Sequence, residues 1–521
     1  MVRPQLWQWS LCIAAVLACP TARADDAGQA LLDKATDTKL SAENLTDLNE
    51  VIKLSQEAIA AGLDDDGKKF ANELLASTLT QRADMICTEL FEQAVTPNRG
   101  RKLVQIALSD LEQTLAIDSE QAQAQYLIGR LYAHLGEPEK GLKALDHAVR
   151  LSKDDPPSQA KALMIRANLK TEPAARVADF NEAVRLQPHD PNVLRFRGMF
   201  YLTQNDLPSA ISDLNAAVTI EPKDADTQEA LGIAQSMSEK YDEAMDSFNK
   251  AIELAPEVGS AYTQRARVRA IKGDVPAALA DVEQSLKLQP GSVQALQLHA
   301  TLLGSTGKFE QALADMNLLR KAMPDNPEIL LQVAMLYQAS KEPYKAITAY
   351  DQVLQNDAEN VAAFRGRADA YLGLGKQTEA LADYEAALKI EPKNSGVLNN
   401  LAWVLATSPD QELRDGKRAI ELAKLACEVT EFKQAHIVST LAAGYAETGD
   451  FESAITWSKK AVELGPDSMK GQLGKELESY QAQKPWREAN PPVDEDAQQT
   501  AKPEKSPAPA SDDTARSKRG S

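Results

Sequence analysis

The sequence predicts an all-α protein, a stack of antiparallel helix pairs closed by one terminal helix. Three observations carry that reading. A 34-residue period runs through most of the chain, each period holds two apolar stripes at helical spacing, and small residues fall in fixed columns where the two helices of a pair would cross.

The period shows in Ala-Val-Thr-Ile-Glu-Pro (217–222), Ala-Ile-Glu-Leu-Ala-Pro (251–256) and Ala-Leu-Lys-Ile-Glu-Pro (387–392). Pro222, Pro256, Pro290, Pro324 and Pro392 share one register, and each ends a second helix because proline cannot continue it. Gly198, Gly232, Ala266, Ala300, Ala334 and Ala368 form a column of small residues, and Ala210, Ala244, Ala278, Ala312, Ala346 and Ala380 form another. One pair cannot bury all its apolar surface alone, so neighbouring pairs have to stack.

Taken in order, the chain begins with Arg3, an apolar run from Leu11 to Ala18, and Thr21-Ala22-Arg23-Ala24 before Asp25-Asp26. This is the order of a secretory signal peptide over residues 1–24, and cleavage after Ala24 would leave an exported, periplasmic or secreted chain. The alternative makes Cys19 the lipidated N-terminus of an anchored lipoprotein. The apolar run is too short to span a bilayer, and no later stretch is long and apolar enough, so no membrane insertion of the mature chain is expected. Residues 25–74 read as an N-terminal helical segment with one helix over Ser41 to Ala61, closed by Gly62. Residues 75–467 read as about ten to eleven units. These include a stretched one interrupted at Thr96-Pro97-Asn98-Arg99-Gly100, a shortened one at 160–190, and one from 395 with a long turn. A polar helix over 468–486 reads as a cap, from 487 the composition predicts a disordered tail, and deleting the chain beyond Lys484 is expected to leave helicity and unfolding nearly unchanged.

Spacing and columns together resemble the tetratricopeptide repeat (TPR) family, which implies a right-handed superhelical solenoid. Asn399-Asn400-Leu401-Ala402-Trp403, Arg414-Asp415-Gly416 and Lys484-Pro485-Trp486-Arg487-Glu488 further resemble the last repeats of exported bacterial TPR proteins.

Arginine interrupts the seam of several units. Arg367 stands where leucine is usual, and Asp383 follows sixteen residues later; Arg197 with Asp213, Arg265 with Asp281 and His299 with Asp315 repeat the spacing. Arg166 with Asp179 and Arg82 with Asp110 match once turn lengths are allowed for. Units with an apolar residue there lack the acid, as in Val333 with Ala349 and Leu231 with Ser247. A half-buried charge needs a partner, so the two columns are expected to form ion pairs joining the helices of each unit.

Chemistry is sparse. Gly304-Ser305-Thr306-Gly307-Lys308 lacks the leading glycine and the closing Ser or Thr of a phosphate loop and reads as a turn. The five histidines are scattered, no metal-binding spacing occurs, and Cys87 and Cys427 read as small buried hydrophobes. No catalytic residue, cofactor or metal is expected, and the protein is not expected to be an enzyme. A net charge of −19 argues against nucleic acid as a partner. The TPR resemblance implies instead a concave groove lined by first helices that takes a peptide or protein partner. Its candidate residues are Met164, Met199, Ile233, Met237 and Ile271, interleaved with Arg195, Glu229 and Arg267. The function expected is an exported, non-enzymatic scaffold for protein–protein interaction. The alternatives are a chaperone or assembly factor for exported clients, or an accessory subunit of an envelope enzyme.

Overall fold

The structure, a computed structural model, describes residues 26–92 and 95–489. The signal-peptide reading, its Cys19 alternative and nearly all of the expected tail lie outside the described residues. Among those described there are 25 α-helices, one short 3-10 helix and no strand. The chain divides into two compact units, Met1–Ala255 and Pro256–Ser521.

In the first unit, each helix packs antiparallel on the next to make six pairs. They are α1 (Asp26–Leu40) with α2 (Leu45–Ala61), α3 (Asp65–Glu92) with α4 (Pro97–Ile117), α5 (Ala122–His134) with α6 (Pro138–Leu151), α7 (Pro156–Leu169) with α8 (Pro173–Leu186), α9 (Pro191–Thr203) with α10 (Leu207–Ile220), and α11 (Ala225–Met237) with α12 (Tyr241–Leu254). The second unit continues the pattern. Its pairs are α13 (Gly259–Ile271) with α14 (Val275–Leu288), α15 (Val293–Ser305) with α16 (Phe309–Ala322), α17 (Pro327–Ala339) with α18 (Pro343–Asn356), α19 (Val361–Gly373) with α20 (Gln377–Ile390), α21 (Ser395–Thr407) with α22 (Gly416–Val429), and α23 (Ala435–Glu447) with α24 (Phe451–Leu464). A last helix, α25 (Asp467–Gln481), packs on α24.

The N-terminal region differs from the sequence reading. In place of one helix there is a complete pair, and α3 runs through residue 75 without a break. Asn44 and Asp47 start α2 with a reciprocal capping box, and Asp64 accepts from the Gly67 amide at the start of α3. Helix α1 was hidden because its buried apolar stripe is thin, essentially Leu32 and Ala35, and shares no column with the later repeats.

Local chemistry explains the rest. A Cβ placed on Gly232 would lie 2.6 Å from Cε1 of Phe248, and one on Gly366 would lie 2.3 Å from the Tyr350 ring. Small residues are therefore required where a large ring from the facing helix fills the crossing. Most turns inside pairs use a left-handed residue. Gly136, Gly273, Gly307, Gly375 and Gly449 supply it with φ of 71–84°, which makes the Gly304–Lys308 stretch the turn between α15 and α16. Glu239 and Lys341 occupy the same kind of turn at φ 60° and 62°, where a Cβ is strained. Glu239→Gly is expected to raise stability by about 0.5–1 kcal/mol, measured by urea unfolding, because relief of the Cβ strain outweighs glycine's greater entropy loss.

The arginine column forms the predicted pairs. Arg367 donates from Nε and Nη2 to the two carboxylate oxygens of Asp383 at 2.8 and 2.6 Å. Arg82 with Asp110, Arg166 with Asp179, Arg197 with Asp213 and Arg265 with Asp281 repeat this two-point grip at 2.5–2.8 Å. His299 takes the same place with Nδ1 2.8 Å from Asp315 Oδ2. In the units without arginine, Val333 and Ala349 are both buried.

The pairs are not confined to one hairpin, however. The remaining guanidinium arm, Nη1, reaches the second helix of the preceding pair. Arg367 donates to Asp351 on α18 at 2.5 Å, Arg197 to Asn181 on α8 at 3.0 Å, Arg166 to Asp146 on α6 at 2.9 Å, and Arg82 to Asn49 on α2 at 2.6 Å. Each of these four arginines thus stitches three helices, and couples one repeat to the next as well as closing its own.

Candidate functional site

In the first unit the first helices of successive pairs, α5, α7, α9 and α11, touch in order and form one continuous face. The candidate residues divide on it. Met199 on α9 and Met237 on α11 are 42% and 48% exposed, and Ile233 is half-buried beside them. Met164 on α7 is buried among Ala160, Leu163, Ala183 and Val193, so it packs the core and is not available to a partner. Arg195 is half-buried, with its guanidinium over the Phe196 ring and near Asp224 and Asp226 at 3.6 and 3.8 Å. Asp224 also caps α11. Arg195 therefore ties α9 to the start of α11 and is partly neutralised. Glu229 is half-buried on the same helix as Met237. Arg267 and Ile271 belong to the second unit, on α13, where Arg267 is exposed and Ile271 is 59% exposed.

A second feature, missed from sequence, is a pocket of about 500 Å³ in the second unit, walled by α19, α21, α23 and α25. Polar groups run across its floor. Thr440 donates to Asn399 Oδ1 at 2.7 Å, Asn399 to Asn400 Oδ1 at 3.2 Å, and Asn400 to Asp369 Oδ1 at 3.1 Å, where the Tyr384 hydroxyl also donates. Burial pushes the Asp369 carboxyl above its ordinary value, while the hydrogen bonds from Tyr384 and Asn400 and the charge of Arg365 pull it back. On the α25 side stands Glu476, 2% exposed, accepting from the Ser439 hydroxyl and from Gln472 Nε2 at 3.2 Å. Burial likewise raises the Glu476 carboxyl; the bonds from Ser439 and Gln472 oppose the shift and the charge of Glu488 adds to it.

The chain itself frames this pocket. After α25 it turns at Gln483 and returns over the end of α21, where the Glu488 amide donates to Thr407 O at 3.0 Å and Arg487 Nη1 donates to Ala406 O at 3.2 Å. Trp403, which lines the pocket, donates from Nε1 to Glu488 Oε1 at 3.2 Å. Arg487 and Glu488, which composition assigns to the tail, are thus anchored. One sequence signal pointed to the site: Leu473, Glu476 and Tyr480 lie on one helical stripe, which puts a carboxylate at a core position. Among the described residues no cluster of His, Cys, Asp and Glu could hold a metal ion, Cys87 and Cys427 are buried free thiols, and no helix is long and apolar enough to cross a membrane.

The tetratricopeptide repeat family matches residues 101–156, 174–225, 229–293 and 334–395. The chain carries tetratricopeptide repeats. A curated relative, the tetratricopeptide repeat and J domain-containing co-chaperone of Fusarium oxysporum f. sp. lycopersici, is 25% identical over 134 residues, and the chain spans about a quarter (26%) of its length. Solved structures similar to this chain include a tetratricopeptide repeat protein from Parabacteroides merdae (18% identity, 56% of this chain and 98% of that one, TM-score 0.37). Another is yeast Tom70 (15% identity, 88% of this chain and 97% of that one, TM-score 0.40). The pairs α5–α6, α9–α10, α13–α14 and α19–α20 lie inside the TPR matches and α11–α12 all but its first turn, while every lining residue of the pocket next to α25 except Leu372 lies beyond the last match.

Proposed function

We propose that this protein is a non-enzymatic TPR scaffold, exported to the periplasm or cell envelope, that holds segments of protein partners against its first-helix faces. The observation that carries the reading is the placing of Met199 and Met237, large apolar side chains left well exposed on adjacent first helices and flanked by charge. Flexible thioethers suit an adaptable apolar contact, and preformed helices present it without ordering cost. Export rests on the signal-peptide order of residues 1–24.

A photo-crosslinking amino acid at position 199 or 237 should yield adducts with envelope proteins, whereas one at Lys250, exposed on the second helix α12, should yield few. Equal yields from both helices would refute a first-helix site. A second reading, a chaperone for exported clients, draws on the same methionines and on the co-chaperone relative. It predicts that excess full-length protein suppresses aggregation of unfolded exported proteins without preference among them.

A further inference from the structure

Six described side-chain carboxylates are essentially buried: Asp110, Asp179, Asp213, Asp281, Asp383 and Glu476. The five aspartates each receive two hydrogen bonds from an arginine. Glu476 is held by a serine hydroxyl and an amide, with no cation in hydrogen-bonding reach among the described residues, and it lines the 500 Å³ pocket. A buried carboxylate is costly unless neutralised, and this fold solves that problem with arginine at the other five places. A carboxylate keeps acceptor capacity beyond two hydrogen bonds, so Glu476 has room for another donor.

We propose that this pocket binds the ammonium or guanidinium group of a lysine or arginine side chain presented by a partner polypeptide, with Glu476 as its counter-ion. The other walls fit the rest of such a side chain. Leu372 and Met469 offer apolar contact to an aliphatic stem, and Trp403 adds an aromatic surface that attracts cations. The pocket's volume exceeds one side chain and leaves space for flanking residues. A net charge of −19 favours the approach of basic segments. The proposal rests on the reading that this protein captures polypeptides, and it names what one site on it selects.

The test uses the full-length protein and synthetic peptide pools, random except for a fixed central Lys, Arg, norleucine or Glu. The Lys and Arg pools should bind about tenfold more tightly than the norleucine pool, and the Glu pool least. Glu476→Gln should bring the Lys, Arg and norleucine pools to parity without lowering the unfolding temperature, since it removes a buried charge and keeps hydrogen-bonding groups. Gln472→Lys gives an independent check at an exposed position. Gln472 Nε2 lies 3.2 Å from Glu476 Oε1, so a lysine there tethers an ammonium to the same carboxylate and should erase the preference even if Glu476→Gln fails to fold. Equal binding of all pools by the unsubstituted protein overturns the cation pocket while leaving polypeptide capture standing. Binding of no pool overturns both. Spermidine binding as tightly as the Lys pool would make the ligand a free small cation and overturn the polypeptide source.

Discussion

Asp383→Ala is expected to destabilise the α19–α20 pair by about 2–3 kcal/mol, because it removes the two-point partner of the Arg367 guanidinium in a half-buried seam and leaves it only the more exposed Asp351. Arg367→Leu alone should cost a similar amount, since Asp383 is then buried without its cation. Combining Arg367→Leu with Asp383→Ala recreates the apolar seam of Val333 and Ala349 and should recover most of the loss. Asp351 sharpens the test. It holds the third arm of Arg367 from α18 but is itself substantially exposed, so Asp351→Ala should cost less than about 1 kcal/mol in the pair. Its main effect should fall on the coupling between the α17–α18 and α19–α20 repeats. Because repeat arrays unfold by neighbour-dependent steps, the readout is amide hydrogen exchange resolved by helix, alongside urea unfolding. Coupling between Arg367 and Asp383 should lie within about 0.5–3 kcal/mol. A double variant as unstable as Asp383→Ala would mean that the two columns do not neutralise each other.

Much of this was legible because arginine and its acid both sit on the repeat's own register. One unit can be read against the next, and the covariation of Arg367–Asp383 against Val333–Ala349 stands out in a single chain. The third arm was not legible, because its acceptor lies on the preceding hairpin and varies among Asp351, Asn181, Asp146 and Asn49, any of which reads as an ordinary polar residue. Helix α1 was lost for lack of a period to compare it with. Of the candidate groove residues, helical spacing placed Met164 and Met199 alike on first helices. Spacing does not register that Met164 is enclosed by Ala183 and Val193 from neighbouring helices while Met199 is left open. The pocket by α25 was obscured differently. A cap is expected to be polar, so a glutamate on it draws no notice until Leu473 and Tyr480 are seen to bury the same stripe.

Ending the chain at Lys484 is expected to destabilise the last repeats by about 2–4 kcal/mol, whereas ending it at Ala489 should change their stability by less than about 0.5 kcal/mol. The sequence makes everything beyond Lys484 look dispensable, but the short segment after α25 is bound to the fold at several points. Trp486 packs against the core formed by α19 to α25, and part of its apolar surface would be returned to water. The Glu488 amide would leave the Thr407 carbonyl, and its carboxylate would leave Trp403 Nε1. Arg487 would release both the Ala406 carbonyl and Glu447. Glu447 keeps a second cation, Arg414, whose Nε lies 3.0 Å away, so the cut does not orphan a buried charge and the cost stays moderate. The loss should appear as faster hydrogen exchange in α21 and α23 and a lower first unfolding transition, with α1 to α12 unaffected. Arg487→Ala in the full-length chain should reproduce about 1–2 kcal/mol of it, as expected for lost hydrogen bonds to a charged group. If the two shortened proteins unfold alike, residues 485–488 contribute nothing to the closure of the array, and α25 alone seals its end.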